Sequence, residues 1–188
     1  MNKLLKNPFV WIVGIVLLVS VFLGNQYNSF ITTSNSIDGQ WKQVEVQYQR
    51  RFDLIPNLTE SVKGIMKQEQ TIFGDLAKAR ANYAGAVTTN DKATAATQLE
   101  SSLSRLLVIM ENYPQLKSDQ AVLKLQDELA GTENRIAVER RRFNELVQIY
   151  NTKATTIPGN LLAKLFGFTT KEYFNATSGS QNAPSVKF

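Results

Sequence analysis

Two short strings in this 188-residue chain hold the polar side chains best placed to do chemistry. One is Arg50-Arg51-Phe52-Asp53, just ahead of Pro56-Asn57; the other is Glu133-Asn134-Arg135. Guanidinium groups are planar, permanently charged donors that match carboxylate and phosphate oxygens. Arg50, Arg51, Asp53 and Asn57 therefore read as a docking site for an acidic partner or a phosphate group. A plain structural account competes. Arginines near a helix C-terminus meet its dipole favourably, and Asp53 caps a helix that begins near Pro56.

Glu133 and Arg135 flank an apolar stripe at Thr132, whereas Asn134 points away from it. Flanking charges set the register of paired helices, and the same groups suit a polar contact to another copy or a partner. Asp53, Glu60 and Glu133 are the carboxylates from which a hydrolytic acid and base would be drawn, given a concave pocket and a raised pKa. Further carboxylates at Glu69, Asp127, Glu128 and Glu139 read as a solvated face. Arg140-Arg141-Arg142 is the one dense basic run, but three successive helical residues fan across about 200° and make no flat patch.

Two absences narrow the chemistry. The chain has no Cys and no His. Disulfides, thiol nucleophiles, thiolate or imidazole metal sites, and Ser-His-Asp triads are excluded. Bundle metal sites combine Glu-x-x-His pairs, which are absent; an all-oxygen Ca²⁺ or Mg²⁺ site stays open but has no ligand-spacing signature, so no metal or cofactor is expected. The formal charge of +5 comes from 21 Lys+Arg against 16 Asp+Glu, with both signs mixed along the chain. Dedicated nucleic-acid binding needs a concentrated basic patch, so that class is disfavoured.

The elements that must position these residues are helical. Ile37, Trp41, Val44, Tyr48 and Phe52 recur at three and four, predicting a helix over about 28–53. Leu58, Val62, Ile65, Ile72, Leu76, Ala79 and Tyr83 predict a second over 56–85, and Leu99, Leu103, Leu106, Met110 and Tyr113 a third over 91–113. A seam of Val122, Leu125, Leu129, Thr132, Ile136, Glu139, Phe143, Leu146 and Tyr150 predicts a fourth over 118–153, like a coiled coil. The joins at 53–56, 86–90 and 114–117 are short, and short joins favour antiparallel neighbours. Pro56 is read as a turn in preference to a kink. Beyond Asn151 a loop over 155–160 precedes an apolar piece, Leu161–Phe168, whose aromatics with Tyr173 and Phe174 are expected to cap the bundle end.

The first 27 residues differ in kind. A basic tail with Lys3 and Lys6 precedes an uncharged run from Pro8 to Leu23, and Phe9, Trp11, Leu17, Phe22 and Leu23 mark it as a membrane anchor. A cleaved signal peptide shares the basic start, but no small-x-small site closes this run. Lysines precede the span and no Lys or Arg follows until Lys42, so the positive-inside rule sends the bulk of the chain outward. The expected organisation is a cytoplasmic tail over 1–7, an anchor over 8–27, a helical bundle with an aromatic lid over 28–176, and a flexible tail over 177–188.

Particular strings also resemble a known family. Arg50-Arg51-Phe52-Asp53-Leu54-Ile55-Pro56-Asn57-Leu58 resembles the R-R-x-D-L-I-P-N-L signature of the LemA family, and Thr132-Glu133-Asn134-Arg135-Ile136-Ala137 its T-E-N-R-I-A string, with Tyr150-Asn151 following. Glu111-Asn112-Tyr113-Pro114-Gln115-Leu116-Lys117 is similar to its E-x-Y-P-x-L-K turn, and Phe166-Gly167-Phe168 with Tyr173-Phe174 to its C-terminal aromatic motif. The resemblance spans nearly the whole chain. It implies an all-α fold: an N-terminal transmembrane helix followed by a bromodomain-like antiparallel four-helix bundle. No enzymatic activity is implied, and genomic association with membrane metalloproteases suggests envelope maintenance by analogy.

The expected function is that of a membrane-anchored interaction protein, a homo-oligomerising scaffold or adaptor of the bacterial envelope, at the cytoplasmic (inner) membrane, and not an enzyme. Its expected partners are the bilayer through the N-terminal helix, further copies of itself, and an envelope protein such as a membrane protease, without nucleic acid. A lipid- or polyanion-binding module using Arg50, Arg51 and Arg140–Arg142 is the first alternative, and a carboxylate-dependent enzyme the second.

Overall fold

Apolar stripes at three-four spacing, with few glycines and prolines inside them, leave the backbone one economical way to bury side chains and satisfy its own hydrogen bonds. The computed structural model describes residues 8–174 and is all helical over them; the expected tails at 1–7 and 177–188 lie outside the described residues. The elements are α1 (Pro8–Lys63), α2 (Gln70–Gly85), α3 (Thr89–Met110), a short 3-10 turn (Leu116–Ser118), α4 (Gln120–Thr155) and α5 (Gly159–Phe166).

The expected turn at residues 53–56 is not there. α1 runs 56 residues, with Pro56 inside it. Proline lacks the N–H that would donate to the Phe52 carbonyl one turn back, a defect that usually ends a helix. Here Phe52, Ile55, Leu58 and Val62 are all buried, so the inward stripe crosses the proline without a break. That burial outweighs one lost hydrogen bond. The chain turns instead after Lys63. The N–H groups of Ile65 and Met66 donate to the Val62 carbonyl at 3.0 and 2.9 Å. Met66 takes the buried place that periodicity assigned to Ile65, which is exposed.

The chain divides into two compact units. Residues 41–141 with Phe174 form one; residues 8–40 with 142–173 form the other.

In the 41–141 unit, the second half of α1, all of α2 and α3, and the first part of α4 make four helical legs. Asn82 approaches Gln98 (3.4 Å) and Asp75 approaches Arg105 (3.8 Å), so α2 and α3 run antiparallel. Tyr48 meets Arg140 while Arg51 meets Glu133, so α1 and α4 run antiparallel as well. Caps define the legs. The Thr88 hydroxyl accepts from the Asp91 N–H at 3.1 Å, and the Asp119 carboxylate accepts from Ala121 and Val122 at 2.8 and 3.2 Å. Leu58, Met66, Leu76, Leu99, Leu103, Leu106, Leu116 and Ile136 fill the core.

The α4 seam departs from its expected course after Ile136. The inward positions are Phe143, Val147 and Tyr150, with Arg140 half-buried among them, whereas Leu146 is only half-buried. An α-helix has 3.6 residues per turn, so a stripe that alternates three and four drifts unless the helix supercoils. Here Phe143 and Tyr150 keep their expected places, and only the positions between them and Ile136 move by one, from Glu139 to Arg140 and from Leu146 to Val147.

In the other unit, α1 residues 8–22 are almost wholly exposed, and among the described residues α1 is one helix long and apolar enough, over an 18-residue window near its N-terminus, to cross a membrane. Past them an aromatic cluster gathers. Phe30 stacks on Phe168 (4.8 Å between ring centres) and meets Tyr150 edge-on (5.7 Å); Tyr27 meets Phe166 edge-on (5.1 Å). Gly167, at φ 75°, closes α5 in the left-handed region that glycine enters without a Cβ penalty.

Candidate functional site

Neighbouring residues on a helix point about 100° apart, and this separates the two arginines of the first motif. Arg50 faces solvent. Arg51 faces the helices, its side chain only 8% exposed, and forms an ion pair with Glu133 of α4, whose side chain is 46% exposed. The two strings singled out in the sequence, 80 residues apart, thus meet through one residue from each. Their other members do not join them. Asp53 is exposed on α1 and accepts from the Gln49 amide at 2.8 Å. Asn57, Asn134 and Arg135 are exposed too. Asp53 lies mid-helix and caps nothing, because no helix starts at Pro56.

The Arg51–Glu133 pair floors an open groove of about 680 Å³ along α3. Thr97, Ser101 and Ser104 supply hydroxyls, Glu100 and Arg105 charges, and Val108 and Ile109 an apolar lip. Val108 is 64% exposed, although it sits on a helix whose neighbours are packed.

Next to this groove lies a second polar centre that sequence reasoning missed. Arg140 donates to the Tyr48 hydroxyl oxygen and to Glu100 Oε1 (2.5 Å), which links α4 to α1 and α3. Its guanidinium also lies 5.2 Å from the Tyr48 ring centre and 4.4 Å from that of Phe174. Arg140 read as part of a solvated basic run; it is a strut between helices. The available signal was the break in the α4 stripe at Glu139, which places a charged residue at the helix interface. Which neighbour would face inward depended on the drift of the helix.

The electrostatics follow from these positions. Burial lowers the Arg51 pKa, against support from the nearby Glu100 charge. Burial works the same way on Arg140, but Tyr48 and Glu100 outweigh it and hold its pKa above the usual value. Tyr48 is pushed up, first by burial and then by the charge of Glu100. Glu45 of α1 bridges Lys92 of α3 (2.5 Å) and Lys42 (2.7 Å). Burial works to raise its pKa, but the two lysines win and lower it.

These groups tie helices to one another: Arg51 to Glu133, Arg140 to Tyr48 and Glu100, and Glu45 to Lys92. Of the expected acid–base set, Asp53 and Glu60 are exposed on one helix, about 10 Å apart along its axis, and Glu133 is held by Arg51. The three do not face a common pocket. Among the described residues, no three Asp or Glu side chains gather where a metal ion could sit. The expected anchor residues Phe9, Trp11, Leu17 and Phe22 are exposed along α1, and Leu23 is half-buried.

An exposed apolar helix continuous with packed, ion-paired helical legs defines a membrane-associated, all-α helical-bundle protein. Residues 40–188 match the model of the LemA family, and the chain belongs to that family, as its motifs indicated. It is similar to magnetosome proteins MamQ 2 and MamQ 1 of Paramagnetospirillum magneticum, each 27% identical over 188 residues covering 85% of this chain and 69% of the relative. Magnetosome protein MamQ of Magnetospirillum gryphiswaldense is 27% identical over 176 residues, covering 80% of this chain and 65% of the relative.

Proposed function

We propose that this protein is a scaffold or adaptor of the bacterial cell envelope, anchored by α1 in the cytoplasmic (inner) membrane with its bulk on the outer side. It works by holding further copies of itself, or a second envelope protein such as a membrane protease, and not by catalysis. The observation that carries this reading is how its polar groups are used. Arg51 is engaged by Glu133, and Arg140 by Glu100 and Tyr48, while the groove beside them stays open under an exposed valine. Such a surface is equipped to receive a complementary segment, with an apolar centre and a polar rim. Anchoring confines bundles to one plane and raises their effective concentration, so weak lateral contacts suffice. The bulk-outward orientation is supported by Lys3 and Lys6 ahead of the span and by the absence of Lys or Arg after it until Lys42.

Photo-crosslinking residues at Val108 and Arg105 of the full-length protein in cells test this reading, with Val87 on the α2–α3 turn as a reference. A second copy or one defined envelope protein captured from the groove positions, and not from Val87, is expected. A detergent-extracted strict monomer with no captured neighbour would sink the proposal.

A further inference from the structure

We propose that α5 is an in-plane membrane-surface helix: its outer face lies in the lipid headgroup region beside the point where α1 leaves the bilayer. This inference rests on the reading of α1 as the anchor and goes beyond it, because it gives the bundle-side chain a second lipid contact.

The outward composition of α5 is the first argument. Gly159, Leu162 and Ala163 are buried and make its packed face. Water should then meet polar residues on the opposite side. Leu161 is instead 63% exposed and Leu165 69%, with Lys164 beside them. Ile157, just ahead of the helix, is 80% exposed. Leu161 and Leu165 stand one turn apart on α5, and Ile157 precedes them in the loop. A bare strip of this kind marks a contact with protein or lipid.

Position decides which. α1 from Pro8 to Tyr27 is 20 residues, about 30 Å of helix, which matches the hydrocarbon core of a bilayer. Tyr27 thus sits where tyrosines concentrate, at the membrane–water boundary. Its ring lies against Phe166, the last residue of α5, and 5.6 Å from Phe168. The C-terminal end of α4 is tied to the same level: Lys153 Nζ donates to the Ser29 hydroxyl at 2.6 Å. Ser29 stands only about 9 Å along α1 from Leu23, the end of the apolar run. The exposed apolar residues of α5 and the exposed apolar part of α1 therefore belong to the same compact unit, joined at Tyr27. Lys164 completes the pattern, since a lysine next to interfacial leucines reaches anionic headgroups while its stem stays in the apolar layer.

The natural absence of cysteine makes the test direct. Leu161→Cys, Leu165→Cys, Leu17→Cys and Gln148→Cys each carry one environment-sensitive fluorophore in the full-length protein. Gln148 is exposed on α4 and serves as the water-facing reference. The proteins are reconstituted in phosphatidylcholine–phosphatidylglycerol vesicles, with and without nitroxide-bearing lipids. The proposal expects labels at Leu161 and Leu165 to be blue-shifted and to lose emission to nitroxides near the headgroups, while Leu17 responds to nitroxides deep in the chains and Gln148 to neither. Leu17 quenched but Leu161 and Leu165 behaving like Gln148 would overturn the α5 proposal and leave the anchor standing. Labels at Leu161 and Leu165 that shift to the blue without nitroxide quenching would also overturn it, since protein then covers the strip. If Leu17 is not quenched, the anchor fails and this inference falls with it.

Discussion

Arg51 and Glu133 form an ion pair with unequal ends: the guanidinium is almost wholly enclosed by α1, α3 and α4, while nearly half of the carboxylate side chain remains in water. Losing the enclosed charge and losing its partner are therefore different perturbations. Glu133→Gln strands a buried cation and should cost about 1–2 kcal/mol, less than a fully buried pair because water still reaches the site. Arg51→Met removes the desolvation cost along with the charge and should cost less. Arg50→Ala, one residue away and exposed, should stay within about 0.5 kcal/mol. Urea midpoints of the detergent-solubilised protein followed by helical circular dichroism rank the three; equal losses at Arg50 and Arg51 would contradict the ion pair.

Arg140 is expected to tolerate replacement poorly, because one of its nitrogens serves both Tyr48 and Glu100 while its guanidinium lies over two rings. Arg140→Lys keeps the charge and has donors enough on one nitrogen for Tyr48 and Glu100, but its compact ammonium on a different stem holds both less well and loses the guanidinium's contacts over the Tyr48 and Phe174 rings. It should lower stability by about 1–2 kcal/mol, and Arg140→Ala by about 2–4 kcal/mol, because Glu100 is then left half-enclosed without its partner. Tyr48→Phe should reproduce part of the Arg140→Lys loss, and the double variant should be less than additive.

Acid should release the α1–α3 bridge. Lys42 and Lys92 hold the Glu45 pKa below its unfolded value, despite burial acting the other way. A depressed folded value means that the stabilisation is present above the unfolded pKa, about 4.3, and is lost as pH falls through the folded one. Lys92→Met should cost about 0.5–1 kcal/mol at neutral pH. The gap between variant and wild type should close below about pH 4, and a constant gap would count against the bridge.

At the alkaline end the signs reverse. Burial, with the charge of Glu45 second, pushes the Tyr83 pKa up to about 12. The raised value means that its contribution is intact below the unfolded pKa of about 10 and fades as pH climbs through the folded one. Tyrosinate absorbance should show a late-ionising class that Tyr83→Phe diminishes.

Pro56 sits in a helix that it does not favour. Pro56→Ala restores the N–H that bonds the Phe52 carbonyl and should raise stability by about 1–3 kcal/mol with the fold unchanged. A destabilised or less helical variant would mean that the local backbone geometry set by the proline is itself required for packing.

Much of the architecture was legible locally. Helix existence, the apolar N-terminal segment and the family strings each depend on a few adjacent residues and are present; the joins expected at 86–90 and 114–117 fall at 86–88 and 111–119. The errors share a cause. At Pro56 a strong local breaker was overruled by Ile55, Leu58 and Val62, whose burial is conferred by other helices. At Arg140 the error was one of phase, since a drift of one residue in the α4 stripe exchanges a solvent-facing charge for an inter-helix strut.

By itself, the amino-acid order determined that this chain is all helical, that one segment is too apolar and uncharged to prefer water, and that thiol and imidazole chemistry are closed to it. Those properties are periodicity and composition, which a single strand of residues carries. Only the tertiary structure decided which of Arg50 and Arg51 meets Glu133, that Arg140 joins three helices, and that the bare face of α5 lies beside Tyr27. Each of those is a meeting of residues 40 or more positions apart in the chain or a choice between helix faces, and it is settled by how neighbouring helices pack.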